Sequence, residues 1–310
     1  MNLSLHDAQG KLRWTPMRAA RRLLQSCGSW IARLIAFSLR LRNRWSRATV
    51  LGDGDAVVCL TSYGPRLKQA HLAIESVGRG QMRPRRLILW LDDTVDAHAL
   101  PGALRRLESR GLEIRGSHGS FGPHTKYFPY VSENSKPELP LVTCDDDILY
   151  PKWWLHTLLV DYESQQPPAV VAFRAHRIGL AGGVLKPYGQ WQPVRTDRPS
   201  HRHFVTGVSG AVYPPAVQRS LAALGDAFLQ RCPRADDVWL NVVALRLGTK
   251  VKQVSARSRH FPLVHRSQQQ ALQQHNVQAG GNDAQLLATY DAADLAKLAA
   301  ATETAAQLIP

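Results

Sequence analysis

Leu139-Pro-Leu-Val-Thr-Cys-Asp145-Asp-Asp147-Ile-Leu-Tyr-Pro151 decides how the rest of the chain is read. A short apolar run, with a proline near its start, stops at three consecutive carboxylates. A second apolar run then leads through Pro151 into a helix. The first run has the length and composition of a buried strand. In an open α/β sheet, ligands bind just beyond the carboxyl ends of strands, which is where the aspartates stand. On extended backbone Asp145 and Asp147 project to the same side. Two carboxylates there suit a hard divalent cation, Mn²⁺ or Mg²⁺. The competing reading is an acidic helix N-terminus. With Pro151 as the first helical residue, however, Tyr150 is the cap and the acids lie too far upstream.

Upstream, Ala56 to Tyr63 reads as a buried strand that ends in polar residues, and an amphipathic helix follows over about 66–77. Arg86 to Asp93 is a second strand, and Leu112 to Arg115 a third, with a short helix over 104–110 between them. Strand, helix, strand, helix, strand predicts a doubly wound, mostly parallel α/β sheet, with Leu139–Cys144 as its fourth strand. Thr61, Ser62, Asp92, Asp93, Asp145 and Asp147 then line one edge. Between the third and fourth strands, Gly119-Ser-Phe-Gly-Pro-His-Thr-Lys126 is a glycine-rich loop that delivers one lysine to open a helix. That lysine suits a phosphate as a point charge, although a surface lysine is the commoner occurrence.

Downstream, Trp153 to Val160 reads as a helix and Val170 to Phe173 as a strand. Residues 178–203, rich in Gly, Pro, Arg and His, form an irregular insertion suited to a lid or acceptor loop. In Phe204 to Pro215, Gly207 and Gly210 allow close backbone approach to a ligand. There is no G-x-S-x-G, which excludes a serine-hydrolase elbow. Leu240, Val243, Ala244 and Leu247 form the stripe of a helix ended by Gly248. Asp236 and Asp237 lie at its start, where capping and the dipole favour acids whether or not they do chemistry. His260 and His265 flank Phe-Pro-Leu-Val, and either suits a metal shell or a structural role. Asn282-Asp283 begins a helical tail.

The chain has 310 residues, 44% hydrophobic and 20% charged, the composition of a soluble globular protein. Cys27, Cys59, Cys144 and Cys232 are scattered without zinc spacing and read as reduced core residues of a cytosolic protein. The net charge is +15, of which residues 1–48 carry +9. Anionic partners follow from that charge, but its concentration in the leader argues against nucleic acid as a partner of the core. In the leader, Leu23, Cys27, Trp30, Leu34, Phe37, Leu41 and Trp45 recur at helical spacing. Arg18, Arg22, Arg33, Arg40, Arg44 and Arg47 lie along one flank. This pattern predicts a helix lying in a membrane interface at the cytoplasmic leaflet. A helix packed on the domain or on a partner is the alternative. The expected organisation is a basic anchor over 1–48, a main domain over 49–275 and a helical tail over 276–310.

Taken in order, Thr61-Ser-Tyr63, Leu91-Asp-Asp93, Gly122-Pro-His-Thr-Lys126, Asp145-Asp-Asp147, Gly207-Val-Ser-Gly210 and Asp236-Asp237 resemble the motif series of GT-A glycosyltransferases, especially bacterial family-2-like members. The resemblance runs from about Ala56 to Gly248. It implies a Rossmann-like GT-A fold with an acceptor-binding C-terminal half. It also implies metal-dependent transfer of a sugar from a nucleoside-diphosphate donor, UDP-sugars first, to a hydroxyl of a glycan or glycolipid. Asp145 and Asp147 would hold Mn²⁺ or Mg²⁺, with His260 or His265 as further ligands. Thr61, Ser62, Asp92, Asp93, Lys126, Asp145 and Asp146 would line the donor pocket, and Gly207, Gly210 and Trp239 would border the acceptor. Asp237, or Asp236, would be the general base of an inverting reaction. The pair is Asp-Asp where many relatives have Glu-Asp, which leaves the choice of base open. A metal-dependent nucleotidyltransferase, or a non-catalytic basic protein binding membrane or nucleic acid, are the alternatives.

Overall fold

Nine residues of β1 (Gly54–Ser62) are buried on both faces except near the ends, which is why the sequence there is an unbroken apolar run. The computed structural model describes residues 16–95, 99–264 and 281–301. Helix α1 (Pro16–Trp45) precedes β1. After β1 come α2 (Leu67–Gly78), β2 (Pro84–Leu91), α3 (Gly102–Glu108), β3 (Glu113–Gly116), α4 (Phe128–Glu133), β4 (Leu141–Thr143), α5 (Trp154–Glu163) and β5 (Val170–Ala172). The next segment holds β6 (Ala175–Arg177), β7 (Leu180–Ala181), β8 (Val184–Leu185), β9 (Gln192–Pro193) and β10 (His203–Val205). It is followed by β11 (Ala211–Tyr213), α6 (Pro215–Leu224), α7 (Phe228–Arg231), α8 (Asp236–Arg246), β12 (Val251–Gln253), α9 (Gly281–Thr289) and α10 (Ala292–Ala300).

The main sheet has seven strands in the order β12-β5-β11-β4-β1-β2-β3. All neighbours are parallel except β11, which runs antiparallel to both β4 and β5. Alternate residues of β1 feed two cores. Val57 and Cys59 face one that includes α8, and Val58 and Leu60 face one that includes α2 and α5. Helices therefore cover both faces, as in a doubly wound α/β fold.

Four local expectations change. Residues 178–203 are irregular only in part: β7 and β8 form a hairpin, and β9 joins the flanking β6 and β10 in a second, antiparallel sheet. The C-terminal segment is two helices rather than one, because Asp291 and Asp294 form a reciprocal capping box that starts α10 afresh. Arg246 of α8 holds Asp294 at 2.7 Å, so α10 is packed on the domain. Pro151 does not open α5. Its carbonyl accepts the Trp154 N–H (3.0 Å) in a lead-in turn, and Trp154 is the first helical residue. Lys126 likewise closes the 3₁₀ turn Gly122–Lys126, and α4 begins at Phe128.

Candidate functional site

β4 ends at Thr143 and the chain turns at Asp146–Asp147, so the alternation expected of extended backbone does not hold through the triplet. Asp145 faces Lys126, with Nζ 3.1 Å from Oδ1. Asp146 is buried and turned to Arg66, which donates to both of its oxygens. The same guanidinium lies 3.1 Å from Asp147 Oδ2. Asp146 thus anchors Arg66. Burial first, then the charge of Asp145, push the Asp147 carboxyl up to about 6 despite the pull of Arg66.

Lys126 reaches this point because its turn is pinned. His124 is fully buried, stacked on Phe228 at 4.0 Å between ring centroids. Its Nε2 is 2.8 Å from the Cys232 carbonyl and its Nδ1 2.8 Å from the Tyr127 hydroxyl. Burial lowers its pKa to about 4, so the ring is neutral. A carbonyl only accepts, so the proton sits on Nε2 and Nδ1 accepts from Tyr127. This clamp ties the lysine turn to the residues just ahead of α8. Lys126 Nζ accordingly also lies 3.0 Å from Asp236 Oδ2. Burial alone would lower its pKa. Asp145, then Asp236 and Asp237, instead hold the ammonium well above its ordinary value.

Asp237 is half-buried beside them, and its Oδ1 accepts the Gly207 N–H at 2.9 Å. Burial, then the Asp236 charge, push it up to about 7 against Lys126 and the Gly207 hydrogen bond. A Cβ at Gly207 would stand 2.8 Å from Asp237 Oδ1 and 3.7 Å from Lys126 Nζ. Gly207 is therefore glycine because backbone and carboxylate meet there. Asp145, Lys126, Gly207, Asp236 and Asp237 come together from four separate stretches of sequence.

Other expected site residues make contacts of their own. Gly210 has φ +95°, and a Cβ there would meet the Trp154 ring at 2.6 Å, so it serves core packing. Trp239 is buried edge-on to Phe228 in the core and offers no open acceptor surface. Thr61 donates its hydroxyl to the Trp90 carbonyl (3.0 Å) at the strand end. Ser62 is fully buried, with its hydroxyl unpaired among the described residues. Asp93 is exposed in a turn. For Asp92, burial opposes ionisation, yet hydrogen bonds from Thr94 and Ser120 hold its pKa below the ordinary value. His260 is largely exposed, and its partial burial and the nearby Arg174 lower its pKa. His265 lies outside the described residues. Among the described residues, no group of three or more His, Cys, Asp and Glu converges as a metal shell. Cys59, Cys144 and Cys232 are buried free thiols.

Sequence reasoning missed Arg66. Its signal was local: Gly64-Pro65-Arg66 follows β1 directly, and Gly64 takes φ +49° to turn the chain back over the strand end.

No protein-family model and no curated protein matches the chain. Among solved structures it is similar to Staphylococcus aureus TarS 1–349, at 11% identity, covering 67% of this chain and 59% of that one, with a TM-score of 0.42. It is also similar to the mannosyltransferase PcManGT from Pyrobaculum calidifontis in complex with GDP-Man and Mn²⁺. There the identity is 14%, the coverage 91% of this chain and 84% of that one, and the TM-score 0.44. Neither likeness transfers a role to any residue.

Proposed function

We propose that this protein transfers a sugar from a nucleoside-diphosphate donor to a hydroxyl acceptor. The observation that carries the reading is the convergence of Asp145, Asp236 and Asp237 on Lys126. They come from the end of β4 and the start of α8, at the carboxyl edge of the sheet. A site that gathers three carboxylates around one ammonium is poised for proton transfer.

Asp237 is the general base. With a pKa near 7 it takes the acceptor proton at neutral pH while keeping enough basicity to hold it. The acceptor oxygen attacks the anomeric carbon, the bond from that carbon to the diphosphate oxygen breaks, and the diphosphate departs with the electron pair. Lys126 and Arg66 supply fixed positive charge beside the departing group. Asp145 and Asp147 fit a divalent cation in donor chemistry. They are hard oxygens, and the Asp145 charge adds to the cost of ionising Asp147, a cost that a cation offsets. Mn²⁺ or Mg²⁺ held there would neutralise the leaving diphosphate. Two carboxylates leave most of its coordination to water and phosphate oxygens.

The test is product analysis. Native protein is incubated with UDP-sugars, and then with GDP-mannose, plus Mn²⁺ and candidate acceptors. Release of nucleoside diphosphate is expected for one donor, slowed at least about 100-fold in Asp237→Asn with donor binding kept. Release of pyrophosphate, or undiminished turnover in Asp237→Asn, would overturn the reading.

A further inference from the structure

Helix α1 presents three faces over its C-terminal half. Ala36 and Leu39 are buried against Leu72, Leu149 and Val264. Asn43, also buried, donates to Glu75 Oε1 at 3.2 Å and to the Ala103 carbonyl at 3.0 Å, and accepts from Arg106 Nε at 3.0 Å. Glu75 is fully buried and also holds Arg42 and Arg110. The helix is therefore locked to α2 and α3 in one rotational setting.

That setting turns a second face outward. Trp30, Ile31, Leu34, Phe37, Leu41 and Trp45 are exposed along one stripe at helical spacing, with Trp30, Leu34 and Trp45 at 64, 66 and 76%. A contiguous apolar stripe of this size does not stay in water without reason. The third face is charged. Arg33, Arg40 and Arg44 are exposed along one flank and Arg47 just past the helix end, with guanidinium groups over Trp30 and Trp45 at 5.4 and 5.7 Å. No Asp or Glu occurs between Asp7 and Asp53. Among the described residues, no helix is long and apolar enough to cross a membrane.

We propose that α1 seats this stripe on an anionic phospholipid bilayer, with its axis in the plane of the interface. Tryptophans lie at headgroup depth, and arginines flank an apolar face that enters the acyl boundary. Charge decides between occupants. A second copy of α1 brings more arginines and no acid to meet them, whereas phosphate headgroups meet the exposed guanidinium groups of Arg40 and Arg44. The polar lock around Glu75 then fixes the whole domain in one orientation on the membrane.

The experiment is sedimentation of the full-length protein with vesicles of phosphatidylcholine alone and with about one third phosphatidylglycerol. Binding is expected on the anionic vesicles and to weaken with salt. Arg40→Gln/Arg44→Gln should weaken it roughly tenfold to thirtyfold, at about fivefold per arginine. Leu34→Ser/Phe37→Ser should abolish it with an unchanged melting curve, since both side chains are solvent-facing. Native protein that stays in the supernatant, or a stripe variant that binds as well as native, would overturn the proposal. So would a native dimer that the stripe variant splits, without vesicle binding, because the stripe would then belong to a second copy.

Discussion

Asp237 and Gly207 carry the sharpest consequences at the scale of single residues. Because Asp237 titrates near 7, turnover should fall about tenfold per pH unit as pH drops below 7, as the base becomes protonated. A pH–rate profile flat from 5 to 8 would contradict that role. Gly207→Ala tests the close approach separately. Its φ lies outside the left-handed region, so the backbone tolerates alanine, but the added methyl collides with Asp237 Oδ1. Activity should fall at least about tenfold while thermal stability shifts little. Gly210→Ala should do the reverse. Positive φ and the Trp154 contact together cost on the order of 2–4 kcal/mol of stability in denaturant unfolding. The two glycines look alike in the sequence. What separates them is which side chain lies opposite, and only the folded chain supplies that. The same holds for Asp236-Asp237, where a helix N-terminus and a reactive pair need the same residues at the same place.

Among elements, the main strands and the parallel run of β1, β2, β3 and β4 were legible, and the reversal at β11 was not. β1, β2 and β4 are apolar runs that stop at polar residues, and each falls within a few positions of its expected span. Nothing in Ala211–Tyr213 announces that β11 inserts antiparallel between β4 and β5, since a period-2 pattern reads the same both ways. The small sheet built from β6, β9 and β10 was hidden for another reason: two- and three-residue strands are too short to show a period. At this scale Glu75 is the residue to remove. Glu75→Ala leaves Arg110 buried without its carboxylate and releases Arg42 and Asn43. Breaking such a buried network should destabilise the domain by about 3–5 kcal/mol. It should also speed hydrogen exchange at the C-terminal end of α1. Unchanged stability would mean that α1 is only loosely attached.

For the whole molecule, the charge distribution links the site to its surroundings. The core keeps its cations paired with acids, Lys126 with Asp145 and Asp236, and Arg66 with Asp146 and Asp147. The basic excess sits mostly in the leader. The triplet's need for positive charge was legible in the sequence. That part of it comes from Arg66, distant in the chain, was not. Asp147 and Asp237 both titrate above their ordinary value, so in the folded state they bind protons that the unfolded chain has released. The stability these two groups contribute is therefore greatest below the unfolded value near 4 and is lost as pH rises through about 6 and 7. A cation on Asp147 displaces its proton, so Mn²⁺ should raise the melting temperature more at pH 7.5 than at pH 5.5. An equal shift at both would place the ion elsewhere.

The most direct measurement is calorimetric titration of UDP, GDP and CDP into native protein and into Asp145→Ala/Asp147→Ala, each with and without Mn²⁺. One nucleoside diphosphate is expected to bind the native protein in a Mn²⁺-dependent manner, and the double variant to lose this binding while staying folded. Absence of binding by all three, or equal binding by the double variant, would contradict a donor diphosphate held at the end of β4.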